Sequence, residues 1–147
     1  MAVNVNGVHA HVGIATADLD AAMSSVGALL GVTFDTPFDG SLAPAFATGD
    51  GSPAAGLRRV TTSQGGPMRV ELLEGQPGSV WHTTELASLH HIAYWVDDVT
   101  SAAEAMVAEG WSIEITLASP DARPVGFAYL SKPGEARVEL TAAPDAT

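Results

Sequence analysis

A chain of 147 residues, 46% of them hydrophobic, has the length of one ordinary domain or of two small units sharing a core, and no apolar run approaches the roughly 20 residues of a membrane span. Six Lys and Arg against 17 Asp and Glu give a formal net charge of −11, which excludes partners that need a basic face, nucleic acid and anionic membrane among them. Cys is absent, so disulfides, thiolate ligands and Cys nucleophiles are excluded, and with an N-terminal Met-Ala-Val-Asn-Val-Asn lacking any basic or apolar signal segment the expected compartment is the cytoplasm.

In chain order, residues 8–16 alternate as a strand, with Val8, Ala10, Val12 and Ile14 on one face and His9, His11, Gly13 and Ala15 on the other. Asp18 is placed as a helix N-cap, and Leu19, Ala22, Met23, Val26, Leu29 and Leu30 form an apolar stripe that Gly31 stops. Residues 32–38 read as a strand. Residues 39–56, rich in Gly, Ala, Ser and Pro, read as a long loop with a short strand around Phe46, of a composition suited to a lid. Strands follow at 57–64 and 68–73, separated by a Gly65-Gly66-Pro67 turn. After a connection at 75–89 the plan repeats: a strand at 90–96, a cap at Asp98, and a stripe of Val99, Ala102, Ala103, Met106 and Val107 stopped by Gly110. Strands at 111–117, 125–130 and 136–140 complete it.

The repeat extends to the residues themselves. His11-Val-Gly-Ile-Ala returns 80 positions later as His91-Ile-Ala-Tyr-Trp, and Arg69-Val-Glu-Leu returns unchanged as Arg137-Val-Glu-Leu. Each half is βαβββ and leaves a sheet face that it cannot bury alone, whereas two such halves can close on each other. The expected fold is therefore α+β: one domain over 1–147 in which two tandem βαβββ modules, about 7–74 and 90–142 with a linker at 75–89, close one cup-shaped mixed sheet.

Side chains alternate faces along a strand, so the polar residues can be placed. His11 lies opposite Val12 and Ile14, Glu71 opposite Val70 and Leu72, His91 opposite Ile92 and Tyr94, and Glu139 opposite Val138 and Leu140. All four therefore face away from the helices and into the cup. Four ionisable groups on an apolar interior are costly unless paired or metal-bound. Two imidazoles and two carboxylates without sulfur form a site for one divalent ion: Zn, Ni, Co, Mn or Fe. A closed tetrahedral zinc would be structural; an octahedral ion would keep two positions open for substrate oxygens.

These residues, together with Asp18-Leu-Asp-Ala-Ala and Val70-Glu-Leu-Leu-Glu74, resemble the vicinal oxygen chelate superfamily of glyoxalase I, methylmalonyl-CoA epimerases, extradiol dioxygenases and fosfomycin- and bleomycin-resistance proteins. The resemblance covers nearly the whole chain and is strongest in texture to the epimerase and glyoxalase-like branch. It implies paired βαβββ modules with a metal held by His11, Glu71, His91 and Glu139. It implies Glu139 as ligand and base, with Glu71 able to share the role. Sister folds often dimerise and exposed strand edges invite pairing, so a homodimer is expected.

A metal gripping a carbonyl acidifies the adjacent C–H and stabilises the enolate, and a nearby carboxylate carries the proton. The expected activity is thus proton abstraction beside a carbonyl of a small oxygenated substrate, as isomerase, epimerase or lyase. The alternatives are a binding protein of the bleomycin-resistance type, or an Fe(II) dioxygenase, which a fourth ligand at Glu71 would crowd. One departure bears on epimerisation. The epimerase family supplies a second base as a Glu from the first module's middle hairpin, yet residues 40–67 hold no Glu and only Asp50 as a carboxylate. Two-base inversion would need Asp50 or Asp39.

Further candidates share the cup face. His9 lies two residues before His11, Trp95 is on the face of His91, and Arg69 and Arg137 precede their glutamates by two. Trp95 and Phe127 are candidates to wall the substrate, and the arginines to anchor its carboxylate or enol, against the alternatives of core packing and charge neutralisation at the rim. His90 has the opposite parity to His91 and is left outside the site.

Overall fold

The computed structural model describes residues 7–144, so the N-terminal hexapeptide considered above lies outside the described residues. Eleven strands, two α-helices and one short 3₁₀ turn follow in order: β1 (Val8–Ala15), α1 (Leu19–Leu30), β2 (Thr33–Phe34), β3 (Phe38–Asp39), the 3₁₀ turn Gly40–Leu42, β4 (Phe46–Ala47), β5 (Pro53–Ala54), β6 (Leu57–Gln64), β7 (Val70–Gly75), β8 (Ser88–Val96), α2 (Val99–Ala108), β9 (Ser112–Leu117), β10 (Phe127–Ser131) and β11 (Val138–Ala142). This is the expected α+β class with βαβββ order in each half. No helix among the described residues is long and apolar enough to cross a membrane.

Helix boundaries follow from capping chemistry. The Asp18 carboxylate accepts from the Ala21 N–H at 3.1 Å, and the Asp98 carboxylate from the Ser101 N–H at 3.0 Å. Gly31 ends α1 in the left-handed region (φ 66°), where a side chain would be strained, and its N–H returns to the Gly27 carbonyl. Glu74, at the end of β7, accepts from the Leu19 N–H at 2.8 Å, so a second carboxylate meets the positive end of α1.

The contacts divide the chain into two compact units. One comprises residues 11–43 and 55–91. In it β1 runs parallel to β7 with Gly13 beside Glu71, β7 is antiparallel to β6, and β6 carries both β2 and β3. Helix α1 covers one face: Leu19, Ala22 and Val26 pack on Val70 and Leu72, with Ile14 and Phe34 at the margin. The apolar parity set of β1 and β7 is thereby consumed by the helix, which leaves His11 and Glu71 for the other face.

Of the described residues, the second unit comprises 7–10, 44–54 and 92–144. Here β8 runs parallel to β11 with Ala93 beside Glu139, β11 is antiparallel to β10, and β10 to β9. Val99, Ala103 and Met106 of α2 pack on Val96, Ala128, Leu130 and Leu140, with Tyr94 and Val138 beside them. The helix-facing parity is the same as in the first unit.

The strand expected at 32–38 is two short pieces, β2 and β3, both laid on β6. A larger difference concerns residues 39–56, expected as a loop suited to a lid. Asp39 caps the 3₁₀ turn, and the short strand at Phe46 is present as β4, which pairs with β5 and with β9 of the second half at Thr116 and Leu117. Backbone hydrogen bonds to a sheet edge, which composition does not advertise, hold this segment down.

Candidate metal centre

His11 on β1, Glu71 on β7 and His91 on β8 meet at their functional ends. The His11 and His91 Nε2 atoms are 3.0 Å apart, and Glu71 Oε1 lies 3.5 Å from the first and 3.8 Å from the second. His91 is 1% exposed and His11 8%. Glu139 on β11 is also buried, beside Ala93 in the parallel pair and opposite Tyr129 in the antiparallel one. His11, Glu71, His91 and Glu139 each offer one ligand atom, and these atoms all lie within 4.8 Å of one another.

The donor set fits a divalent ion. Two imidazole nitrogens and two carboxylates, each offering one ligand atom within 4.8 Å of the others, are close enough to share one ion. Two imidazoles and two carboxylates without sulfur suit a divalent first-row ion such as Zn, Ni, Co, Mn or Fe rather than a soft thiolate metal.

Gly13 makes this approach possible. It pairs with Glu71 across β1 and β7, and the His91 ring occupies the space that a β-carbon at position 13 would take. A glycine two residues after His11 is the cradle for the other histidine.

His90, which strand alternation leaves outside the site, lies against one of its members. It is buried, its Nδ1 lies 2.8 Å from His91 Nδ1, and its Nε2 lies 2.9 Å from the Val80 carbonyl oxygen. Adjacent residues of a strand point to opposite faces, but Nδ1 is the ring nitrogen nearest the backbone, so two neighbouring imidazoles can still meet there. The signal in the sequence was the His90-His91 doublet itself; what it needed was the Val80 carbonyl. That carbonyl is carried by a connection that Trp81, 1% exposed, anchors in the core, with the His82 N–H bonded to the Ser79 carbonyl.

The other candidates lie as follows. Arg137 Nε donates to Glu114 Oε2 at 2.9 Å, so its guanidinium is engaged with β9. Arg69 is exposed and its carbonyl accepts from the Val12 N–H. His9 is exposed at the start of β1, its ring edge-on to Tyr94 at 6.2 Å. Trp95 is half-buried opposite Thr141. Phe127 stands between Phe46 at 5.8 Å and Tyr129 at 5.3 Å, both edge-on, so an aromatic row runs from β4 to the strand neighbour of Glu139. A cleft of 320 Å³ lined by Thr16, Arg58, Glu74, His82 and Thr83 lies apart from the ligand residues, none of which lines it.

Both second-base candidates are stabilised in their ionised form by turn hydrogen bonds. Asp50 accepts from the Thr48 hydroxyl and the Ser52 N–H, which hold its carboxyl down at about 2. Asp39 is lowered by hydrogen bonds from the Ser41 hydroxyl and N–H. A carboxylate stabilised in its ionised form is a weak base.

Residues 10–129 match the model of the family described as Glyoxalase/Bleomycin resistance protein/Dioxygenase superfamily. No curated protein matches the sequence. Among solved structures, a methylmalonyl-CoA epimerase from Mycobacterium tuberculosis is 18% identical with a TM-score of 0.62, over 98% of this chain and 93% of that one. A hypothetical protein, BH1468 from Bacillus halodurans C-125, is 15% identical with a TM-score of 0.64, over 96% and 97%. A Streptomyces coelicolor methylmalonyl-CoA epimerase variant in complex with 2-nitronate-propionyl-CoA is 20% identical with a TM-score of 0.62, over 92% and 97%. At these identities the likeness is one of fold.

Proposed function

The chain belongs to the Glyoxalase/Bleomycin resistance protein/Dioxygenase superfamily, and from that premise we propose that it is a metal-dependent enzyme that abstracts a proton next to a carbonyl of a small oxygenated substrate. The convergence of His11, Glu71, His91 and Glu139 carries the reading. The repeat units, about 7–74 and 90–142 joined by 75–89, each deliver one imidazole and one carboxylate. These four residues would hold a divalent ion, which would supply Lewis acidity toward a substrate oxygen.

The chain's own residues do the rest. The carboxylate of Glu139, buried beside Tyr129, takes the proton at carbon, and low water content around it raises its effectiveness as a base. Glu71, the more open of the two carboxylates with a side chain 21% exposed, is positioned to return or share that proton. Phe127 and Trp95 exclude water and favour an apolar body on the substrate, and Arg69 remains a candidate for its acidic end. With Asp39 and Asp50 committed to turns, isomerisation or lysis served by the Glu139–Glu71 pair fits better than inversion by bases on opposite faces. The proposed setting is a cytoplasmic homodimer, for which light scattering of the purified chain is the check.

The test is deuterium wash-in from D2O over a panel of 2-oxo acids, hydroxyketones and thioesters, run beside metal analysis of protein never exposed to chelator. Stoichiometric metal and exchange at one acidic carbon are expected. Protein that holds no metal and gains none from Ni, Co, Zn or Mn would sink the proposal.

A further inference from the structure

We infer that His90 is a positioning residue that holds His91 in the tautomer with a bare Nε2, so that the buried imidazole is ready to ligate before any ion arrives. The chemistry follows from one end of the chain of contacts. The Val80 carbonyl oxygen can only accept, so His90 Nε2, 2.9 Å away, carries a proton. With both rings neutral, His90 Nδ1 is then the acceptor and His91 Nδ1, 2.8 Å away, the donor. A proton on Nδ1 leaves His91 Nε2 with its lone pair, and that is the atom facing His11 and Glu71. The relay Val80 carbonyl–His90–His91 thus sets ring orientation and tautomer together, the service that a carboxylate or backbone carbonyl gives a ligand histidine directly in many metal sites.

The enclosure of His91 protects this contact. Its ring stands at 88° to that of His90 and lies over Gly13, in a residue 1% exposed, so water has little access to replace the contact. Trp81, which follows Val80 in the connection, is buried. The role rests on the metal reading above, whereas the tautomer itself does not.

Two measurements test it. In metal-free protein labelled with nitrogen-15 in histidine, NMR should show His91 protonated at Nδ1 and bare at Nε2; protonation at Nε2 would overturn the inference without any variant. In Zn2+ binding, His90→Phe keeps the ring and removes the acceptor, and should weaken affinity by about 10- to 100-fold. His90→Asn places an amide oxygen near the lost Nδ1 and should restore affinity to within a few-fold of wild type. Wild-type affinity in His90→Phe, or equal losses in both variants at matched melting temperature, would reduce His90 to packing. A wild-type chain that shows the Nδ1–H tautomer yet binds no ion would support the relay and sink the metal reading.

Discussion

In the first module the residue two beyond the ligand histidine is Gly13, and in the second it is Ala93; the residue just before is Ala10 in the first and His90 in the second. Both substitutions favour the same histidine. Gly13 vacates the space in which the His91 ring lies, and His90 grips that ring from behind. The glutamates differ in the same sense: Glu139 is buried opposite Tyr129, while Glu71 is partly open beside Gly13. The two copies of the motif therefore differ: His91 is the more enclosed of the two histidines, and Gly13 leaves room for its ring. Equivalence of ligand type does not make the two ligands equivalent in preorganisation.

The largest effect expected from breaking this asymmetry is on turnover. Glu139→Gln should lower deuterium wash-in by about 10²- to 10⁴-fold, the usual contribution of a positioned general base, and Glu71→Gln should lower it less. Equal losses, measured by proton NMR of the exchanging carbon at saturating metal, would erase the distinction between the halves.

The glycine swap tests the cradle. Gly13→Ala should displace the His91 ring and weaken Zn2+ binding by about 10- to 100-fold, comparable to losing a partner of a ligand. Ala93→Gly, the same exchange in the other module, should leave affinity within a few-fold. Isothermal titration of both variants decides, and equal affinities would remove the role assigned to Gly13.

Stability should show where the modules remain alike. Leu72 under α1 and Leu140 under α2 are both fully buried, so either change to Ala should cost about 2–5 kcal/mol in urea unfolding. A loss at one position and none at the other would mean that only one helix–sheet core governs folding. Removing the α1 cap with Asp18→Ala should cost about 1 kcal/mol.

The smallest expected effect is a pH dependence. Hydrogen bonds from the Ser101 N–H and hydroxyl hold the Asp98 carboxyl below its ordinary value of 3.8. Its folded pKa being lowered, the stabilisation is present above 3.8 and is lost as pH falls below it. Melting temperature should therefore fall on acidification below that value, and the fall should be shallower in Asp98→Asn, whose amide still caps α2.

The sequence by itself determined the two βαβββ halves, the caps at Asp18 and Asp98, the stop at Gly31 and the face on which His11, Glu71, His91 and Glu139 stand. These depend on periodicity, on capping chemistry and on strand alternation, all of which act over a few residues. The repeat carried the rest of that inference, because parity checked twice places four side chains rather than one.

Only the tertiary structure decided the matters that depend on what comes from far along the chain. Residues 39–56 read by composition as a long loop with a short strand around Phe46; that strand, β4, is paired to the edge of β9, and β5 is paired to β4. Arg137, a candidate anchor, also bonds through Nε to Glu114, 23 positions away, a contact that no local pattern shows. His90 was set aside by alternation, which describes where a side chain points and not which ring nitrogen sits near the backbone. Its partner, the Val80 carbonyl, belongs to a connection with no periodicity to read. Local rules fix which face a ligand occupies; the orientation of its ring is a matter of contacts that only folding brings together.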